Sequence, residues 1–134
     1  MIKLMSALKI FTHNIQVLHR NVIGENWFTD HETFEKYYQE LNDMTDDVIE
    51  ITMTMNLGEP SLDKALTFYN SFGGMRITSE DSFQRIQKMF LELIELFEEV
   101  KPDLKADVVS KFEEYQYWLR KEANYKIARR LDTI

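Results

Sequence analysis

The sequence predicts an all-α domain of four long helices, and two observations carry that expectation: helix breakers are scarce, and apolar residues recur at helical spacing through four separate segments. Only 4 glycines and 2 prolines occur in 134 residues. A content of 44% hydrophobic and 29% charged residues describes one soluble globular domain, residues 1–134, able to bury a core. The absence of cysteine removes disulfides, zinc–thiolate sites and a cysteine nucleophile, and is compatible with a reducing cytosol, so a cytoplasmic location is expected. The opening MIKLMSALKIFTHN has neither a long apolar core nor a small-residue cleavage site, and reads as no signal peptide. No stretch approaches the roughly 18 continuous apolar residues of a membrane helix. With 23 acidic against 16 basic residues, the net charge of −7 argues against DNA binding. Lys121, Lys126, Arg129 and Arg130 do cluster near the end, where cations complement a helix C-terminus.

The first helix is expected from about Lys3 to Ile23, with Leu4, Leu8, Phe11, Ile15, Leu18 and Val22 on one stripe and Gly24 as a left-handed C-terminal cap. The second starts near Thr29, where Thr29 and Glu32 have capping-box spacing, and runs to about Asn56 before Gly58 and Pro60. Its apolar face is Phe34, Tyr37, Leu41, Met44, Val48, Ile51 and Met55. The segment from Gly58 to Ile77 is too long for a tight turn, and Leu62 to Tyr69 within it reads as a short helix closed by Gly73 and Gly74. The third helix starts at Thr78 or Ser79 and carries Phe83, Ile86, Phe90, Leu93 and Phe97; Pro102-Asp103 separates it from the fourth. That last helix carries Leu104, Val108, Phe112, Tyr115, Leu119, Ala123 and Ile127. Short links at each end and a long crossover between the second and third helices, with a short helix inside it, describe a ferritin-like four-helix bundle.

Five residues form a transition-metal ligand set: His19, His31, Glu35, Asp46 and Glu50. With about 100° per residue and Leu4 at zero, His19 lies near 60°, on the flank of the first helix's apolar stripe. His13 lies opposite, on the face expected to be solvated, and receives no role. With His31 at zero, Glu35, Asp46 and Glu50 fall near 40°, 60° and 100°, beside an apolar arc of roughly 200° to 340°. A solvated helix flank would read the same way for one helix taken alone. Distance decides, because Asp46 lies about 22 Å along the axis from His31 at 1.5 Å per residue. One helix cannot bring both to one ion. Two copies packed antiparallel across a two-fold axis near Glu40 and Leu41 can, giving two sites per dimer, each completed by His19 of the subunit that supplies His31. Imidazoles and carboxylates without thiolate suit iron(II), zinc or manganese.

Two other motifs fail. His31-Glu-Thr-Phe-Glu35 begins like a zinc-protease helix, but that motif needs histidine where Glu35 stands. A di-iron bundle within one subunit carries Glu-x-x-His pairs, whereas Ile10, Gln16 and Phe28 precede the three histidines by three residues.

The stretch His19-Arg-Asn-Val-Ile-Gly24-Glu-Asn-Trp-Phe-Thr-Asp-His31-Glu-Thr-Phe-Glu35, followed by Asp46-Asp-Val-Ile-Glu50, resembles the His-Trp-x3-Gly-x-Asn-Phe-Phe-x2-His-x3-Asp and Asp-x3-Glu signature of the Dps proteins, or mini-ferritins. The spacing matches without gaps between His19 and Gly58; elsewhere the agreement is in helix order and the crossover helix. The resemblance implies a homo-oligomer built on two-fold dimers, a hollow dodecamer, with an intersubunit ferroxidase site. His19, His31 and Glu35 would come from one subunit, and Asp46 and Glu50 from its partner. It implies oxidation of Fe(II) by hydrogen peroxide or oxygen, storage of the ferric product, and protection against oxidative damage. Three departures stand out: Arg20 replaces the family's tryptophan, Glu35 an aspartate, and Ile51 a common arginine. Arg20 either adds positive charge near the metal or points to solvent. The alternative function is a ferritin-like assembly protein that binds metal without effective ferroxidase activity. Trp27, Tyr37 and Tyr38 read as packing residues before redox relays.

Overall fold

The breaker-free apolar stripe of the first segment forms helix α1, Ile2–Asn21, which buries Leu4, Leu8, Phe11, Ile15 and Leu18 as the spacing requires. The computed structural model describes residues 1–134, and no helix in it is long and apolar enough to cross a membrane. Helix α1 stops before the expected position because Val22 and Ile23 take extended backbone as strand β1, pairing in parallel with strand β2, Ile77–Thr78. Gly24 has φ +133°, yet it does not cap α1; its carbonyl accepts from Trp27 N in the turn that opens the next helix.

Helix α2 runs from Trp27 to Thr54, two residues ahead of the expected start. The Thr29–Glu32 capping box is not formed: Thr29 lies inside the first turn, and its carbonyl accepts from Thr33 Oγ1. The C-terminus closes at Asn56 rather than Gly58. Asn56 takes φ +59°, and the bonds Leu57 N to Thr52 O and Asn56 N to Met53 O make a Schellman motif, a left-handed position that asparagine tolerates. Ile51 is only half-buried and Met55 is exposed, so the core face ends at Thr52.

Residues 1–82 make one compact unit. Within it α1 and α2 run antiparallel, as the close pairs Met5 with Thr52, Thr12 with Thr45 and His19 with His31 establish. Buried hydroxyls cost little here because each is satisfied: Thr12 and Thr45 donate to Leu8 O and Leu41 O one turn back and meet at 3.2 Å. The crossover holds helix α3, Leu62–Leu66, shorter than expected and capped by Ser61, whose hydroxyl accepts from Lys64 N. It is tied to α1 by Lys9, bonded to Glu59 and to Pro60 O, and by the buried Asn14 amide. Asn14 donates to Asn70 O and accepts from Phe72 N. His13, exposed as expected, joins this clamp through Phe72 O.

Helix α4, Ser79–Val100, begins under the Thr78 hydroxyl, which accepts from Asp81 N and so confirms the expected start. Residues 83–134 make the second unit: the rest of α4, a single 3₁₀ turn at Lys101–Asp103, helix α5 (Ala106–Lys121), a π-helical stretch Glu122–Ile127 and helix α6 (Ala128–Thr133). All five apolar residues predicted for α4 are buried. Phe112, Leu119, Ala123 and Ile127 are buried after it, while Leu104, Val108 and Tyr115 are half-covered. The π turn has a readable cause. Leu119, Ala123 and Ile127 repeat every four residues, a spacing that drifts about 40° per step on a 3.6-residue helix, and a wider turn absorbs the drift. Two glutamines tie α4 to the antiparallel arm that follows, Gln87 to Ala123 O in the π-helical stretch and Gln116 of α5 to Ile94 O.

Candidate metal centre

His19 sits in the last turn of α1 and His31 in the second turn of α2, and the short link between the helices brings their rings together. The last carbonyls of a helix have no partner of their own, and His19 O is one of these. It accepts from His31 Nδ1 at 2.7 Å. A carbonyl can only accept, so Nδ1 carries the proton and Nε2 keeps its lone pair. The two imidazoles stack with centroids 4.0 Å apart and planes 24° from parallel. Trp27, one turn before His31, stacks on it at 5.0 Å and 23°.

Glu35 follows His31 by one turn and shares its face. One ligand atom from each of His19, His31 and Glu35 lies within 4.8 Å of the others. Donors on opposite sides of one ion with bonds near 2.1 Å stand about 4.2 Å apart, so a small adjustment of the exposed Glu35 suffices to enclose a cation. His19 Nε2 is buried with no hydrogen-bond partner. A buried imidazole nitrogen without a partner, on a residue of this cluster, is what a metal site presents before the metal arrives, and the donor set fits iron(II), zinc or manganese. The His19 pKa lies below its ordinary 6.5, chiefly because burial disfavours the cation, with further lowering by His31 and Arg20 and an opposing pull from Glu35. The ring is thereby kept neutral, as a ligand must be. Arg20 is itself exposed, as the solvent-facing expectation has it, and is the smallest of the influences on His19.

Asp46 and Glu50 are exposed on the same unbroken helix as His31, and the structure does not bring them to the other three. Of the two residues expected at the axis, Glu40 is exposed, whereas Leu41 is fully buried in its own subunit and cannot face a partner.

One neighbour escaped the sequence reading, and another, Trp27, reads there as packing. Asp30 is a carboxylate with 1% exposure that accepts from Ser79 Oγ, linking the start of α2 to the start of α4. Its signal was present, since one residue before His31 places it near 260°, inside the apolar arc. Trp27 is 44% exposed and lies against a candidate ligand rather than in the core, whereas Tyr37 is buried packing as expected.

No sequence-family model and no curated protein sequence matches the chain. Solved structures do. A Dps protein from Bacillus brevis superposes with TM-score 0.83 at 18% identity, covering 95% of this chain and 89% of that one. Dps from Staphylococcus aureus gives 0.72 at 19% identity, with coverages of 96% and 90%. Helicobacter cinaedi CAIP gives 0.76 at 16% identity, with 96% and 94%. At these identities the likeness speaks for architecture, and the helix order with its short crossover helix agrees with it. The chain has the all-α, ferritin-like four-helix-bundle fold of the Dps proteins.

Proposed function

We propose that residues 1–134 act as a single-domain mini-ferritin that binds Fe(II) at an intersubunit ferroxidase site, oxidises it with hydrogen peroxide or oxygen, and stores the ferric product in a cytoplasmic homo-oligomer. The observation that carries this reading is the division of the five candidate ligands. Three converge in one subunit around an orphaned imidazole nitrogen, and two are stranded on the exposed face of the same helix at the spacing an antiparallel copy requires. His19 and His31 offer imidazole nitrogens, and Glu35 with the partner's Asp46 and Glu50 offers charge to favour the ferric product. Two ferrous ions supply the two electrons that reduce one peroxide to two waters, with two protons taken up. Consuming both reagents together limits radical damage. The two-fold dimer would build a dodecamer, with iron the cargo and zinc or manganese able to occupy the same ligands; the net charge of −7 gives no support to DNA as a partner.

The test is anaerobic Fe(II) loading followed by peroxide, with ferric absorbance recorded for the wild type, His31→Ala, Asp46→Ala and co-assembled mixtures. In a mixed dimer one site loses both groups and the other keeps both. Each variant should be inactive alone and recover part of the rate when mixed; no recovery in a confirmed mixed dimer excludes the shared site.

A second reading, a ferritin-like assembly protein that binds metal without effective ferroxidase activity, is favoured by one observation: a cation, Arg20, stands next to His19 where the family signature has tryptophan. Iron oxidation no faster than the protein-free control would select it. If Arg20 is the cause, Arg20→Gln should restore oxidation, and the gain should shrink as salt screens an exposed charge.

A further inference from the structure

A ligand imidazole must present its lone pair along one direction, and rotation about its two side-chain torsions spoils that aim. Three contacts restrain His31. The bond from Nδ1 to His19 O holds one edge, and the His19 ring covers one face at 4.0 Å. The Trp27 indole lies 23° from parallel at 5.0 Å, and since one imidazole face has no room for two stacked rings, it covers the other. The hydrogen bond holds only the Nδ1 edge, and the plane of the ring can still tilt within the range of angles that such a bond tolerates. The two flanking rings restrain it from either side.

We propose that Trp27 is a positioning residue of the metal centre, which closes the second face of His31 and holds its Nε2 toward the space shared with His19 and Glu35. Helix geometry makes this arrangement local, because Trp27 and His31 are four residues apart on one face of α2. Trp27 is also the first residue of that helix, anchored by the bond from its backbone N–H to Gly24 O. A core tryptophan would be covered on all sides; this one leaves 44% of its surface open and places an aromatic face on a ligand. The inference rests on the reading of His31 as a ligand and deepens it.

Cobalt(II) is the probe, since its visible absorption reports coordination without any oxidation chemistry. Trp27→Leu keeps apolar bulk and removes the flat face, whereas Trp27→Phe keeps a flat face. Removal of an outer-shell partner of a metal ligand weakens binding by about tenfold or more, so Trp27→Leu should bind Co(II) about tenfold more weakly with an altered spectrum. Trp27→Phe should stay within about twofold of wild type, because its ring still stacks. Leucine binding as tightly as tryptophan, with an unchanged spectrum, overturns the proposal. Should Trp27→Leu fail to fold, the wild-type chain labelled with 5-fluorotryptophan answers instead: the Trp27 fluorine signal, identified by its loss in Trp27→Phe, should broaden on adding one equivalent of Co(II) per site. A sharp, unmoved signal overturns the proposal. A wild type that binds Co(II) but oxidises no iron would remove the ferroxidase reading and leave this one standing.

Discussion

The side chain of His31 donates to the backbone carbonyl of His19 at 2.7 Å while its ring lies 4.0 Å from that residue's own ring. One residue thus supplies both the acceptor that sets the tautomer and the surface that sets the plane. The expected outcome is measurable without metal: nitrogen-15 spectra of the metal-free protein should show His31 protonated at Nδ1 and bare at Nε2, and zinc should move the Nε2 signal. A proton found on Nε2 would remove His31 as a ready ligand.

The lowered basicity of His19 carries a stability cost with a definite sign. Well above pH 6.5 neither the folded nor the unfolded chain protonates this ring, and it costs nothing. As pH falls through 6.5 the unfolded chain takes up a proton that the folded chain resists, because burial disfavours the imidazolium, so folding stability falls until the folded value is passed. Urea unfolding of the metal-free protein at a series of pH values should therefore show His19→Gln gaining on the wild type below pH 6.5 and not well above it. A constant difference across that range would show that the ring titrates freely.

The buried Asp30 carboxylate and the Ser79 hydroxyl join the first turn of α2 to the first turn of α4. Hydrogen bonds to charged groups contribute about 1.5–3 kcal/mol, so Ser79→Ala should lower the unfolding free energy by about 1–2 kcal/mol, measured by urea denaturation. A loss below about 0.5 kcal/mol would place the bond among ordinary surface contacts.

The helices were legible in the sequence because their signal is local: Leu4, Leu8, Phe11 and Ile15 repeat on one helical face whatever packs against them. The candidate cluster was legible for the same reason, since Glu35 follows His31 by one turn, while the spacing of Asp46 and Glu50 on the same helix carries them away from it. What stayed hidden depends on distant partners. Asp30 stands out as an acid in an apolar arc, but Ser79 lies 49 residues further on and nothing local pairs them. Val22 and Ile23 leave α1 for the sake of Ile77 and Thr78, and the Thr29–Glu32 box yields to a helix already begun at Trp27. The ring stacking at His31 depends on the angle at which the Gly24 turn returns the chain, which spacing does not report.

Metal and assembly should be linked. In the proposed pairing each site gathers Glu35 of one subunit with Asp46 and Glu50 of the other, three exposed carboxylates beside two imidazoles, and without a cation those carboxylates repel across the axis. A metal that binds only the paired form stabilises it by about 2.7 kcal/mol per site at a hundredfold excess over its dissociation constant. Sedimentation velocity at low salt should therefore show smaller species after chelation and recovery on adding zinc, with higher salt also restoring part of the assembly by screening. Asp46→Asn combined with Glu50→Gln removes both the repulsion and the ligands, so that variant should assemble without metal and ignore the chelator. Assembly of the wild type unaffected by chelation at low salt would mean that the carboxylates of α2 do not meet across the interface, and the shared centre would have to be abandoned.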